Sequence, residues 1–152
     1  SRHRPDTFYG LAKCFAEALG SMYWDKRGLE SVHMRIVSCA HVTSARARGT
    51  WLSYDDLIQL TKRCIDTPVT GFAVVYGVSN NDRAAVDNSK ASFIGFRPKD
   101  NAEQFAEKIL AETDVLDSQD PGHMCHGGPF AKVDLGESGL ATMTIIDDKK
   151  VI

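Results

Sequence analysis

Two short apolar runs constrain the fold of this chain most strongly. Residues 31–39 read Ser-Val-His-Met-Arg-Ile-Val-Ser-Cys, and residues 72–78 read Phe-Ala-Val-Val-Tyr-Gly-Val. In the first run apolar residues alternate from Val32 to Ile36, and Val37 adds an apolar side chain on the opposite face. A strand that is apolar on both faces is typical of a parallel sheet covered by helices. We therefore predict two buried strands, the first of them in a parallel sheet.

Helical patterns alternate with these runs. Between Thr7 and Arg27 apolar residues recur at steps of three and four, and Gly28 suits the end of a helix. A second helix is predicted after Ser53, a residue type favoured as N-cap, and before Pro68. A short helix is predicted over 88–93 and a further one after 98–101. The side chains expected to face inward from the second and the last of these helices are Leu57, Leu60, Cys64, Ile65, Ala102, Phe105, Ala106, Ile109 and Leu110.

This alternation of helix and buried strand predicts an α/β architecture. The region 114–139 is rich in Asp, Gly and Ser and is predicted to be loop-like, and Leu140–Ile146 is predicted to be a late strand. The chain contains no Gly-x-Gly-x-x-Gly or Gly-x-x-Gly-x-x-Gly turn, so the usual fingerprint of a dinucleotide-binding fold is not present in it.

Composition excludes several classes of partner. The 152 residues suffice for one domain with a core, and their net charge of −2 favours neither nucleic acid nor an anionic membrane as partner. The sequence shows no apolar run long enough to span a membrane, and no signal peptide. The four cysteines form no Cys-x-x-Cys pair, which indicates reduced thiols and a cytoplasmic protein. The run His123-Met124-Cys125-His126 lacks the spacing of a zinc site, so no metal is expected.

The pair Tyr9 and Lys13 is the feature that bears most directly on chemistry. Residues four apart on a helix stand on one face as neighbours. A phenol titrates at a pKa of about 10, and a nearby ammonium lowers that value by favouring the phenolate. Such a pair can act as a proton-transfer unit for oxidising an alcohol or reducing a carbonyl. Taken alone, the same spacing also fits a packed ring beside a solvated charge.

Several segments together resemble one enzyme family. Residues 4–13, Arg-Pro-Asp-Thr-Phe-Tyr-Gly-Leu-Ala-Lys, look like the active-site helix of the extended short-chain dehydrogenases/reductases, and 28–36 resemble the strand that follows it. The block 50–57, Thr-Trp-Leu-Ser-Tyr-Asp-Asp-Leu, and the segments within 74–103 narrow the resemblance to the uronate dehydrogenases of the NAD-dependent epimerase/dehydratase group. The run 127–130, Gly-Gly-Pro-Phe, fits the C-terminal segment of that family, so the resemblance covers about residues 4–130.

The resemblance implies NAD-dependent oxidation of a hexuronic acid, glucuronate or galacturonate, to an aldarolactone. In such an enzyme Tyr9 is the base that takes the proton of the anomeric hydroxyl while hydride passes to NAD. Lys13 lowers the pKa of Tyr9 and binds the nicotinamide ribose. Ile36 and Cys39 match positions near the nicotinamide, so the expected cofactor-binding residues are Tyr9, Lys13, Ile36 and Cys39.

The resemblance also assigns residues to the sugar acid. Ser38 matches a serine that contacts substrate, and Phe130 is expected to pack near the sugar. Arg46, five residues before Trp51, matches the arginine that holds the carboxylate. A guanidinium suits this role because it can bind a carboxylate through two parallel hydrogen bonds. Arg48 is a rival for the same role.

The resemblance places residues 1–152 in a single short-chain dehydrogenase domain of Rossmann-type, doubly wound fold. This chain would supply the C-terminal part of that fold, with the glycine-rich half and the catalytic serine upstream of Ser1, and would be inactive alone. A homo-oligomer formed through the helix of Tyr9 is expected. The alternatives are a nucleotide-sugar epimerase or dehydratase and a non-catalytic NAD-binding scaffold. The alanines at 84 and 85 depart from the bulky aromatic residues that uronate dehydrogenases carry there.

Overall fold

The computed structural model describes residues 3–39, 41–84, 86–112, 117–125 and 127–135. The chain divides into two compact units. Ser1–Ala16 and Leu116–Ile152 form what we call the terminal unit, and Glu17–Val115 form the central unit. A single dehydrogenase domain over residues 1–152 stays a prediction. The strand predicted at 140–146 lies outside the described residues.

The described elements alternate between helix and strand, as predicted. The α-helices are α1 (Phe8–Arg27), α2 (Ala47–Thr50), α3 (Tyr54–Asp66), α4 (Ala106–Glu112) and α5 (Pro121–Met124). The strands are β1 (Ser31–Ile36) and β2 (Phe72–Gly77), and 3₁₀ helices run over Ser89–Ile94, Ala102–Phe105 and Gly128–Lys132. The loop predicted over 114–139 is therefore wrong in part, because α5 and the last 3₁₀ helix lie within it. Among the described helices none is long and apolar enough to cross a membrane.

The sheet is parallel, which confirms that prediction. β1 and β2 pair in register from Ser31 opposite Phe72 to Ile36 opposite Gly77, and α3 lies between them in the chain. Burial of β1 on both faces is wrong, however, since Ile36 remains 39% exposed. The reason is that β1 lies at the edge of a sheet that has two strands in the described part of the chain.

The core of the central unit lies between the sheet, α3 and the segment after β2. Its buried apolar residues are Leu52, Leu60, Val75, Ala91, Ile94 and Phe96, with Val32, Cys39, Leu57 and Cys64 packed against them. Of the side chains predicted to face inward, Ala102 and Ile109 are buried as expected, whereas Ile65 and Leu110 are 76% and 65% exposed. Each of these two directly follows an inward-facing residue, and one residue along a helix is a rotation of about 100°.

A buried hydrogen-bond network joins α3 to two distant segments. The hydroxyl of Ser53 accepts from the backbone N–H of Asp56 at 3.0 Å, which confirms the predicted N-cap. The Asp56 carboxylate is 2% exposed and accepts from the Ser79 hydroxyl at 2.7 Å and from the N–H groups of Lys99 and Asp100 at 2.9 and 3.1 Å. A buried carboxylate requires such donors, because an unpaired one is costly.

Helix α1 begins and ends where the sequence predicts. The Thr7 hydroxyl accepts from the Gly10 N–H at 3.0 Å at its start. Gly28, at a φ of 63°, follows its last turn and donates to the Trp24 carbonyl at 2.8 Å. Its large apolar side chains are 37–70% exposed, and they are Phe8, Tyr9, Leu11, Phe15, Leu19, Met22, Tyr23 and Trp24. Self-association through α1 stays a prediction.

An ion pair fixes the second half of α1 to the sheet within the central unit. Glu17 is the buried residue of α1, and its carboxylate accepts from Nε and Nη2 of Arg35 at 2.7 Å each. Arg35 also donates from Nη1 to the Tyr76 hydroxyl on β2 at 3.2 Å. The Glu17 carboxylate raises the pKa of Arg35 above its usual range. This two-point geometry fixes the rotation of the helix as well as its distance from β1.

Candidate active site

The terminal unit brings three of the predicted site residues together. The rings of Tyr9 and Phe130 stack with centroids 6.3 Å apart and an interplanar angle of 18°. The Nζ atom of Lys13 lies 5.0 Å from the centroid of the Tyr9 ring. Tyr9 is 66% exposed, so a ligand can reach its hydroxyl.

A hydrogen bond between Gly127 and Asp6 explains how Phe130 reaches Tyr9. The N–H of Gly127 donates to the Asp6 carboxylate at 3.2 Å, which joins the turn before Phe130 to the residues before α1. A side chain at position 127 would meet the same carboxylate, since a Cβ there would lie 2.6 Å from Asp6 Oδ2. Sequence reasoning missed this contact because it joins residues 121 positions apart.

A second ion pair supports the same part of the terminal unit. Asp120 caps α5 by accepting from the Gly122 N–H at 2.7 Å, and Lys132 Nζ lies 2.5 Å from its other oxygen. The Lys132 ammonium, with the help of the Gly122 N–H, holds the pKa of the Asp120 carboxyl below its usual range. The pair fixes the 3₁₀ helix that carries Phe130 against α5.

The central unit holds the residues expected near the cofactor and the sugar. Ile36, Ser38 and Cys39 lie at or just beyond the carboxyl end of β1, the edge where parallel sheets bind ligands. The Ser38 carbonyl accepts from the Leu52 N–H at 2.8 Å, so this segment is tied to the chain after α2. Burial raises the pKa of the Cys39 thiol, and its side chain packs against the core.

Arg46 stands at the N-cap position of α2. Its backbone is helical, and its carbonyl accepts from the Gly49 N–H at 3.1 Å and from the Thr50 hydroxyl at 3.4 Å. Gly49 also allows α2 to approach a neighbouring turn, because a Cβ at this position would lie 2.6 Å from the carbonyl oxygen of Arg83. The backbone of Arg46 is thus held by hydrogen bonds within α2, and Gly49 lets this helix lie close to the turn at Arg83.

The rival arginine has a partner within the protein. Arg48 is 5% exposed, and its Nε and Nη2 atoms donate to the Glu103 carboxylate at 3.0 and 2.6 Å. The same carboxylate accepts from Arg83 Nε at 3.0 Å. The two guanidinium groups hold the pKa of Glu103 below its usual range. A substrate carboxylate at Arg48 would have to displace Glu103.

The predicted residues therefore fall into two sets, each within one unit. The terminal unit carries Tyr9, Lys13 and Phe130, and the central unit carries Ile36, Ser38, Cys39 and Arg46. Across the described ranges no three His, Cys, Asp or Glu side chains are grouped so that they could hold a metal ion. None of the four cysteines, all within the described ranges, forms a disulfide bond.

The side chains present suit the nicotinamide end of NAD. Lys13 offers an ammonium for ribose hydroxyls beside Tyr9. Ile36 presents an apolar side chain, 39% exposed, at the carboxyl end of β1, where a flat ring could pack. Nothing in this sequence resembles the glycine-rich turn that binds a pyrophosphate.

The parallel pairing of β1 and β2 across an intervening helix, together with the match to solved structures, gives the class as a Rossmann-type α/β fold. No family model matches the chain. The chain is 42% identical over 129 residues to a uronate dehydrogenase of Pseudomonas putida, an overlap of 84% of this chain and 48% of that protein. It is 43% identical over 128 residues to a uronate dehydrogenase of Agrobacterium fabrum, and this overlap again covers 84% of this chain and 48% of that protein.

Solved structures agree with these relatives. Uronate dehydrogenase from Agrobacterium tumefaciens superposes with a TM-score of 0.85 at 40% identity, covering 91% of this chain and 52% of that one. Glucuronic acid dehydrogenase from Chromohalobacter salexigens gives 0.83 at 40% identity, covering 88% and 51%. The chain is therefore homologous to the uronate dehydrogenases, and it spans about half the length of the curated relatives it matches.

Proposed function

We propose that this chain supplies the proton-transfer tyrosine and the carboxylate-binding arginine of an NAD-dependent dehydrogenase. Its substrate is a hexuronic acid, glucuronate or galacturonate, which is oxidised at the anomeric carbon to an aldarolactone. The observation that carries the proposal is the exposed Tyr9 ring with the Lys13 ammonium 5.0 Å from its centroid. The named activity of the homologous enzymes supports the choice of a uronate.

The reaction divides into a proton transfer and a hydride transfer. The anomeric hydroxyl loses its proton to the Tyr9 phenolate oxygen, and the anomeric C–H bond breaks as its electron pair leaves with hydrogen as hydride. NAD, when bound, accepts that hydride. The ring carbon becomes the carbonyl of a lactone. Lys13, with its Nζ 5.0 Å from the centroid of the Tyr9 ring, is proposed to orient the tyrosine and to bind the nicotinamide ribose.

Arg46 is proposed to bind the carboxylate of the uronate, and Ser38 to contact the sugar. Arg46 is chosen because the resemblance to the uronate dehydrogenases assigns this role to its position. At Arg48 a substrate carboxylate would have to displace Glu103, which binds that guanidinium at two points. The carboxylate distinguishes a uronate from a neutral hexose, so the arginine that binds it sets the substrate class. Phe130, stacked on Tyr9, is proposed to cover one face of the sugar.

The cofactor is proposed to be NAD, with Tyr9, Lys13, Ile36 and Cys39 at its nicotinamide end. One support is a solved structure of an Agrobacterium tumefaciens uronate dehydrogenase variant complexed with NAD, to which this chain is 39% identical with a TM-score of 0.85. We place the protein in the cytoplasm, because four cysteines that form no disulfide suit a reducing compartment.

A chimera tests this function. The complete 152-residue chain is joined to the part of the Agrobacterium uronate dehydrogenase that it does not span. NADH formation is followed with glucuronate, galacturonate, glucose and UDP-glucuronate. We expect NADH with at least one free uronate and little with glucose or the UDP-sugar. A chimera that is folded and binds NAD but oxidises no uronate overturns the proposal, and oxidation of glucose at the same rate overturns the role of the carboxylate.

A further inference from the structure

We propose that Glu103 is a positioning residue for Arg46 and acts through Arg48. This inference rests on the proposed role of Arg46 in binding the substrate carboxylate. Glu103 itself touches no reacting atom in this scheme. It holds α2, the four-residue helix that Arg46 begins, by fixing the one guanidinium that α2 turns toward the protein interior.

The contact between Arg48 and Glu103 restrains orientation as well as distance. Arg48 is 5% exposed, and two of its nitrogens donate to the two oxygens of Glu103 at 3.0 and 2.6 Å. Two parallel hydrogen bonds between planar groups restrict rotation in a way that one bond does not. Since Arg48 follows Arg46 by two residues, anchoring the Arg48 side chain restrains the short helix that Arg46 begins.

Glu103 can serve as an anchor because its own backbone is held firmly. Its N–H donates to the Asn101 side-chain oxygen at 3.0 Å. The preceding Ala102 is 0% exposed and donates to the Asn81 side-chain oxygen at 3.0 Å. Asn81 in turn donates to the carbonyl of Trp51, the residue that follows α2, at 2.8 Å. The anchor and the helix it holds are therefore connected a second time, through Asn81.

The charge of Glu103 keeps two guanidinium groups engaged. Its carboxylate is shared by Arg48 and Arg83. A uronate carboxylate at Arg48 would have to displace it. Replacing Glu103 by glutamine retains the shape and removes the charge that holds Arg48.

The test uses the chimera and a ligand that cannot be oxidised. The 1-O-methyl glucuronide carries the carboxylate but has no free anomeric hydroxyl, and the 1-O-methyl glucoside is its uncharged control. Calorimetry gives the Kd of each for the parent, Glu103→Gln, Arg46→Ala and the double variant. Glu107→Gln, a change at an exposed residue of α4, is the matched control. The urea midpoint and the Kd for NAD show that each variant is folded.

We expect Glu103→Gln to weaken binding of the glucuronide about tenfold, a coupling typical of neighbouring residues, with the glucoside unaffected. In the Arg46→Ala background the same change should have no further effect. KM for glucuronate should rise by a similar factor while kcat falls less. Glu107→Gln should match the parent.

Two results overturn the positioning role and can be told apart. If Arg46→Ala weakens binding but Glu103→Gln does not, or weakens it equally with and without Arg46, Glu103 has at most a general structural role. If Arg46→Ala leaves the glucuronide Kd unchanged, the role of Arg46 in the proposed function fails together with that of Glu103.

Discussion

The side chains of Tyr9 and Asp56 contrast sharply in their exposure to solvent. Tyr9, in the terminal unit, is 66% exposed and is contacted by a stacked ring and an ammonium. Asp56, in the central unit, is 2% exposed and accepts hydrogen bonds from three separate residues. Both lie in segments that resemble the same enzyme family. Residues in such a segment can therefore serve either the reaction or the fold. The exposure of the side chain distinguishes the two roles.

This contrast predicts opposite consequences of mutation. Loss of the Tyr9 hydroxyl should remove activity and leave stability unchanged, because little in the fold depends on an exposed side chain. Loss of the Asp56 carboxylate should lower stability first, because its donors would be left unpaired in the protein interior. Tyr9→Phe and Asp56→Ala, each compared with a matched control, test this distinction.

The largest effect is expected for Tyr9→Phe. Loss of a general base typically costs 10²- to 10⁴-fold in rate, so kcat of the chimera for uronate oxidation should fall by about that factor. NAD affinity and the urea midpoint should be unchanged. Tyr23→Phe, in the same helix, is the matched control and should keep full activity. A Tyr9→Phe enzyme that retains more than about a tenth of the rate would remove Tyr9 as proton acceptor.

Asp56→Ala should cost about 3 kcal/mol in the free energy of unfolding, because it leaves buried donors from Ser79, Lys99 and Asp100 without an acceptor. Urea denaturation followed by circular dichroism measures it. Asp55→Ala, in the same helical turn but exposed, is the control and should change stability by less than about 0.5 kcal/mol. Equal losses from the two variants would contradict the network.

Glu17→Gln should cost less, about 2 kcal/mol, because the glutamine keeps the shape of the side chain but gives up one of two charge-assisted hydrogen bonds to Arg35. Differential scanning calorimetry should show a lower Tm. Asp25→Asn, an exposed acid in the same helix, should leave Tm nearly unchanged. If the two variants match, the ion pair does not fix α1 to the sheet.

The smallest effect is expected from pH and Asp120. Its pKa is lowered in the folded state, chiefly by Lys132, so the unfolded chain binds more protons as pH falls toward the ordinary value of 3.8. The stabilisation is present above that pH and is lost as pH falls further through the folded pKa. Asp120→Asn should therefore flatten the acid limb of the stability curve, measured as urea midpoint against pH. An unchanged slope would show that the ion pair with Lys132 adds nothing.

Local chemistry made much of this fold predictable. Ser53 as N-cap, Gly28 after α1 and the two parallel strands each follow from a pattern of a few neighbouring residues. The exposure of Ile65 and Leu110 does not follow from such a pattern, because the width of the buried stripe on a helix depends on what packs against it. The sequence of a helix does not contain that information.

The candidate site also has one part that the sequence predicts and one part that it does not. The spacing of Tyr9 and Lys13 predicts their proximity, and the structure places them together. The spacing of Arg46 and Arg48 does not show which of them binds the substrate, and the role of Arg46 stays a prediction. The partner of Arg48 is Glu103, which lies 55 residues away in the chain and whose pairing is set by the fold. Long-range ion pairs carry no periodic signal, so sequence reasoning left both arginines open.

Gly49 carries a consequence for how this region can vary. A Cβ there would lie 2.6 Å from a backbone oxygen of Arg83, and backbone yields less readily than a side-chain tip. In a library that samples all twenty amino acids at position 49, selection for folded protein should return glycine. The turn around Arg83 then has no freedom to lengthen toward α2, so new sequence in that turn can be accommodated only on its outer side. The two segments would have to diversify as a unit.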